Sequence, residues 1–325
     1  MTSVRLAALI VFAASLPLFV RDAYLLQVAT LTLLYAYLAS SWNILGGFAG
    51  QFSLGHAAFF GTGAYVATML QLQTGVNPWM GMLVAAAVGG FLSVLLGVPS
   101  FRLRGPYYSL TTIAFAELTR IGVMNTRQFL GWDVRGARGL LIPSIGQAPL
   151  RMQSLHKAFY FELALALLAF AIGLSAWLKR RNLGHQWAAI REDEQAAACL
   201  GINVLRAKLI AAFLSGALTA VGGVFYAQLV LYIDPARVFG LDLSVEMAVL
   251  ALVGGSGTVW GPVLGVLALR SIAEWAQWTS GSNFRGIHLL LYGGAMMVVV
   301  MGFPRGIAGF RWRSARSGRV AEDPT

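Results

Sequence analysis

Charge is scarce in this sequence: Asp, Glu, Lys and Arg make up 11% of 325 residues, against 58% apolar residues and a mean hydropathy of +0.69. A water-soluble domain of this size could not solvate such a balance, which leaves a polytopic membrane protein. Lysine is scarcer still. Lys157, Lys179 and Lys208 follow His156, Leu178 and Ala207, whereas a phosphate-cradling P-loop needs glycine before its lysine, so no nucleotide-hydrolysing site is expected in this chain. None of the four histidines stands in a His-Glu-x-x-His pair, which removes the ligand pair of zinc proteolysis, and neither a metal nor a cofactor is expected. The single cysteine, Cys199, has no second thiol with which to form an internal disulfide.

Long apolar runs are what the chain has in quantity. They are apolar on all sides, unlike the alternating strands of a barrel, and several approach the ~20 residues that cross ~30 Å of hydrocarbon as a helix. They cover about 4–20, 23–45, 52–70, 79–101, 106–124, 158–178, 209–233, 243–275 and 286–303. The first carries Arg5 and the small residues Ala13, Ala14 and Ser15 in the manner of a signal peptide, but its apolar stretch continues to Val20 and fits a retained helix better. The run at 243–275 is too long for one span and is interrupted by GGSGTVWGP, which gives two short or re-entrant helices. The expected fold class is all-α: a polytopic integral membrane protein with about 8–10 transmembrane or re-entrant helices, in a single transmembrane domain over 1–325.

The net charge of +11 lies in clusters beside these runs, where basic residues set orientation, and so speaks for topology and against a nucleic-acid partner. Lys179, Arg180, Arg181, Arg191, Arg206 and Lys208 crowd the 179–208 loop, and Arg305, Arg311, Arg313, Arg316 and Arg319 the C-terminal tail; both are expected in the cytoplasm. Alternation then puts Arg102 and Arg104 inside and the 125–157 loop outside, although that loop holds Arg127, Arg135, Arg138, Arg151 and Lys157.

Two stretches echo each other: LGGFAGQFSLG at 45–55 and LVGGSGTVWG at 252–261 each set a double glycine in a short apolar segment. Glycine-broken segments in two halves of a chain present unwound backbone to a transported substrate. Glycines such as Gly257, Gly261 and Gly265 equally let helices approach closely. GGSG at 254–257 also matches the Gly-x-Ser-Gly stretch of rhomboid-type intramembrane proteases, with Ser256 as nucleophile and His288 as base, though glycine packing accounts for the same four residues.

Inside the basic loop lies REDEQAAACLGIN, 191–203, in which Ala189, Ile190, Ala196, Ala197 and Leu200 give a helix one partly apolar face and Gly201 can end it with positive φ. Glu192, Asp193 and Glu194 would be disfavoured against an anionic leaflet, so a protein partner is expected there in preference to lipid headgroups. QAAACLG at 195–201 resembles the EAA loop of ABC-importer permeases, the coupling helix that docks into a groove of the ATPase, with Gln195 where Glu is usual. SWNILGGFAGQFSLGHAAFFGTGAYVATML at 41–70, LRGPYYSLTTIAFAELTR at 103–120, the stretch 187–227 and LVGGSGTVWGPVLG at 252–265 are together similar to the LivM-type permeases of branched-chain amino-acid importers, over nearly the whole chain and in the same order. RGARGL at 135–140 departs from that family, placing Ala137 and Arg138 where Pro and Asp are usual.

The resemblance implies an ABC-importer permease fold in a bacterial inner membrane. Its implied partners are membrane lipid, a LivH-type sister permease, two ABC ATPase subunits that hydrolyse ATP, and a periplasmic amino-acid-binding protein delivering leucine, isoleucine or valine. Arg191, Glu194, Ala196, Ala197 and Gly201 would couple this chain to the ATPase. The expected substrate path has Gly46, Gly47, Gly50, Gln51, Ser53 and His56 on one side and Gly254, Gly255 and Ser256 on the other, because a zwitterion in mid-membrane needs backbone and hydroxyl partners more than fixed charges. His56 serves equally well as a packing residue. Glu117 with Arg120, and Glu246 with Arg270 and Glu274, are expected as structural pairs. A permease for urea, short amides or another amino acid, and a self-contained secondary transporter, are the rival readings.

Overall fold

The computed structural model describes residues 22–103, 105–129, 131–143, 152–154, 156–280, 293–294 and 306–309. The expected helix at 4–20, all of 286–303 except 293–294, His288 and Arg151 lie outside the described residues.

Within them the chain is helical. α1 (Ala23–Asn43) opens into a π-helical turn, Ile44–Phe48, and is followed by α2 (His56–Thr74), α3 (Pro78–Ser100), α4 (Pro106–Asn125) and α5 (Lys157–Lys179). Two short helices, α6 (Asn182–Glu192) and α7 (Glu194–Cys199), precede the longest, α8 (Val204–Val230); α9 (Pro235–Val238), α10 (Leu241–Gly255) and α11 (Gly261–Ser280) complete the series. Among the described residues, five stretches are long and apolar enough to cross a membrane: Ala23–Phe48, Pro78–Ser100, Lys157–Lys179, Val204–Val230 and Pro235–Gly255.

Local chemistry sets the boundaries. Asp22 and Asn77 cap α1 and α3 by accepting from the amides of Tyr24 and Trp79. Asn203 accepts from Arg206 N at 3.0 Å, which starts α8 five residues before the apolar run expected at 209. α2 starts later than expected, at His56, because its lead-in is held out of the helix by other partners: Trp42 Nε1 donates to Ser53 O at 2.7 Å and Leu54 N to Thr112 Oγ1 at 3.0 Å. The long run at 243–275 breaks after Gly255, as the glycines there predict.

α8 is the axis of the bundle, packed on α1, α2 and α3. Its small residues let neighbours close in: a Cβ on Gly223 would strike the backbone of Phe60 in α2. Hydroxyls tie the layers where no water competes. Tyr37 Oη donates to Leu218 O at 2.7 Å, Ser93 Oγ to Ala212 O at 2.8 Å and Ser215 Oγ to Ser41 O at 2.7 Å.

These contacts fix which helix ends lie together. Ser215 meets Ser41, and Ala212 meets Ser93, so α1 and α3 both run against α8. One end of the bundle therefore holds α6, α7 and the starts of α4 and α8; here it is termed the loop end. At the opposite, hairpin end, β1 (Gln128–Phe129) pairs with β2 (Trp132–Asp133) and β3 (Leu140–Leu141) with β4 (Tyr232–Ile233). Lys157, starting α5, donates to Gln27 of α1 at 2.7 Å. Arg127, Arg135 and Arg138 line a cleft of about 350 Å³ at this end with Asp133 and Tyr232, so the basic 125–157 loop and the 179–208 loop lie at opposite ends of the bundle.

Candidate functional site

The two glycine-broken segments, more than 200 residues apart, meet at the loop end. Asn43, the last residue of α1, clasps the α10–α11 connection: its Nδ2 donates to Thr258 O at 2.8 Å and its Oδ1 accepts from Gly257 N at 2.9 Å. The π-helical turn that follows leaves Gly47 flush against this clasp, where a Cβ would overlap the Asn43 side chain and stand 2.6 Å from Gly257 N. Gly257 itself has φ +76° and sits so close that any side chain would collide with Arg191.

Two cations close the joint from the 179–208 loop. Arg191, in α6, donates from Nη1 to Gly47 O at 2.9 Å, an acceptor released by the π-helical turn. Lys179, at the end of α5, donates from Nζ to Gly257 O at 3.0 Å and lies over the Phe48 ring. The ends of α1, α5 and α6 and the α10–α11 connection are thus fastened at one point. Arg191 was singled out from sequence for coupling; that it reaches Gly47, and that Asn43 holds the joint, was not legible there. A lone Asn four residues before Gly47 in an apolar run was the available signal.

The charged stretch is two helices where one was expected. Asp193 takes an extended backbone and caps α7, accepting from Gln195 N at 2.8 Å and Ala196 N at 3.0 Å. The apolar face is divided as a result. Trp187, Ile190 and Ala197 turn into the chain, Trp187 Nε1 donating to Ala207 O at 2.8 Å. Ala197, grouped from sequence with the docking residues, is only 1% exposed. Glu194 pairs at 2.7 Å with Lys208, whose side chain is 3% exposed, tying α7 to α8. Ala196 and Cys199 face outward, and Leu200 is 79% exposed. Gly201 follows at φ +81°, the left-handed conformation that ends the helix.

The remaining path candidates fall into separate places. Gly46 rests on the Trp42 indole, and Gly50 against Arg191. Gln51 folds back on Ala49 O at 3.2 Å and lines a cleft of about 810 Å³ with Tyr108, Ser109, Glu194 and Lys208. Ser53 and His56 are buried deeper. His56 Nε2 lies 2.8 Å from Ser215 Oγ; because the one hydroxyl proton of Ser215 is committed to Ser41 O, the ring nitrogen is the donor. Gly254 packs on Gly261 and Gly265, Gly255 faces Ala308, and Ser256 is half-buried at the end of α10. Glu117 and Arg120 form their expected pair on α4. Among the described residues no group of three His, Cys, Asp or Glu could hold a metal ion.

The family described as branched-chain amino acid transport system / permease component matches residues 24–301. The chain belongs to that family. It is 27% identical over 324 residues to the high-affinity branched-chain amino acid transport system permease protein LivM of Escherichia coli, covering 93% of this chain and 74% of that one. It is 27% identical over 199 residues to the nucleoside ABC transporter permease protein NupC of Lactococcus lactis, covering 55% of this chain and 59% of the relative. To the autoinducer 2 import system permease protein LsrC of an Enterobacter species it is 25% identical over 243 residues, covering 69% and 66%. No solved structure matches. This chain is accordingly a multi-pass membrane permease component.

Proposed function

We propose that this chain is one permease subunit of an ATP-driven importer for leucine, isoleucine and valine in a bacterial inner membrane. It acts as a single transmembrane unit beside a LivH-type sister permease, with two ATPase subunits docked at the loop end and a binding protein delivering substrate at the hairpin end. The name and coverage of the LivM relative support the substrate class. The observation that carries the mechanism is the joint: Arg191 of the charged loop bonds directly to the first glycine break and abuts the second. Movement of a docked α7 is transmitted through α6 to both broken segments, whose opening and closing switches access across the membrane.

Reconstitution tests this. Proteoliposomes holding the full complex should accumulate leucine only with internal ATP and loaded binding protein; urea or short amides taken up in its place would reassign the substrate, and uptake without ATP would sink the ATP-driven reading. The division of the coupling face predicts a further contrast. Leu200→Asp, at an exposed position, should leave the chain folded and remove ATPase docking, whereas Ala197→Asp buries a charge and should lower the thermal midpoint as well. Equal midpoints for the two variants would contradict the assignment of inner and outer faces.

A further inference from the structure

A second polar centre lies away from the joint, toward the hairpin end. Arg270 of α11 stands over the Tyr35 ring of α1, 4.0 Å from its centroid, and pairs with Glu246 of α10 at 3.4 Å. The pair lies deep along its helices. Arg270 is about 13 Å along α11 from Gly261, and Tyr35 about 12 Å back from Asn43, at ~1.5 Å per residue. Their side chains are nevertheless 17% and 29% exposed for Arg270 and Glu246. Charges at that depth do not face hydrocarbon; they pair and line a polar pathway. Here the exposure opens into a cavity of about 550 Å³, a size that suits a small ligand.

The cavity has two characters. One wall is aliphatic and aromatic, from Leu31, Leu34, Leu38 and Phe60. The other is ionic, with Glu246 and Arg270 inside, Asp234 and Arg237 on the segment that joins α8 to α10, and Asp242 in the first turn of α10. Both signs of charge beside an apolar wall match one class of solute: an α-amino acid zwitterion with an aliphatic side chain.

We infer that this cavity is a substrate subsite of the permease, in which Glu246 receives the ammonium group, Arg270 the carboxylate, and the leucine-lined wall the hydrocarbon side chain. This rests on the amino-acid reading of the function and adds to it named contacts in the permease itself. The Glu246–Arg270 pair, expected from sequence as a structural link, is then exchanged for two contacts to the substrate and re-forms behind it.

The test uses photo-leucine, a diazirine analogue of leucine, on the full complex in nanodiscs without binding protein. Label is expected on the cavity walls, in peptides containing Leu31 to Leu38 or Asp234 to Glu246, and should be competed by leucine but not by isoamylamine or 4-methylpentanoate, which each lack one charge. Glu246→Gln and Arg270→Gln should each reduce labelling at least tenfold. Label elsewhere in wild type, or label that either single-charge analogue displaces as well as leucine does, overturns the inference without any variant having to fold. The two readings separate cleanly: wild-type complex that imports leucine with ATP but labels elsewhere refutes the subsite alone, whereas failure to import any branched-chain amino acid refutes the function on which it rests.

Discussion

Arg191→Ala should cut ATP-driven uptake by about 10-fold to 100-fold while the chain remains inserted and the ATPases remain docked. The guanidinium donates to Gly47 O at 2.9 Å, and a hydrogen bond from a charged donor contributes about 1.5–3 kcal/mol. Lost in one of the two access states, that energy is a factor of roughly 10 to 100 in rate, at about 1.4 kcal/mol per decade. Arg191 lies at the surface of the loop, so little core packing goes with it. The signature is uncoupling: hydrolysis stimulated by loaded binding protein persists while uptake falls. Uptake unchanged, or hydrolysis and uptake lost together with assembly, would show that the contact does not transmit the stroke.

Asn43→Leu should have the largest effect on stability. The replacement keeps the approximate volume but removes both bonds of the clasp, leaving Gly257 N–H and Thr258 C=O without their partner. A buried polar group left unsatisfied costs about 1–3 kcal/mol, and two are stranded together, so the loss is of order 2–6 kcal/mol. The thermal midpoint in detergent should fall well below that of wild type, and uptake with it. A midpoint for Asn43→Leu equal to that of wild type would mean that the two glycine breaks are held together by something other than this residue.

The spans were legible because burial in lipid leaves a contiguous mark: apolar runs at 23–45, 79–101, 106–124 and 158–178 match helices to within a few residues. Boundaries failed where one side chain decided them. Asp193 splits the charged helix by taking its cap, and Asn203 moves the start of α8 forward. The two-residue strand pairs at the hairpin end are too short to leave any alternation.

At the candidate site the ingredients were legible and their assembly was not. Each glycine segment stood out by its own composition, and Arg191 by its place in a charged loop. That Asn43 joins them is a contact between residues 214 apart in sequence from Gly257, set by how α1 and α10 pack and by nothing local. The cavity around Glu246 and Arg270 was hidden for the same reason, because its walls come from α1, α2, α8, α9, α10 and α11.

Cys199 makes the most direct test of how nucleotide turnover enters this membrane body. It is the sole cysteine of the chain and is exposed on α7 beside Leu200. A bifunctional maleimide reagent anchored there in the assembled complex should capture an ATPase subunit, and a membrane-impermeant maleimide should reach the thiol only from the cytoplasmic face. Modification from the periplasmic face, or the consistent absence of an ATPase adduct in a complex that transports, would contradict the account.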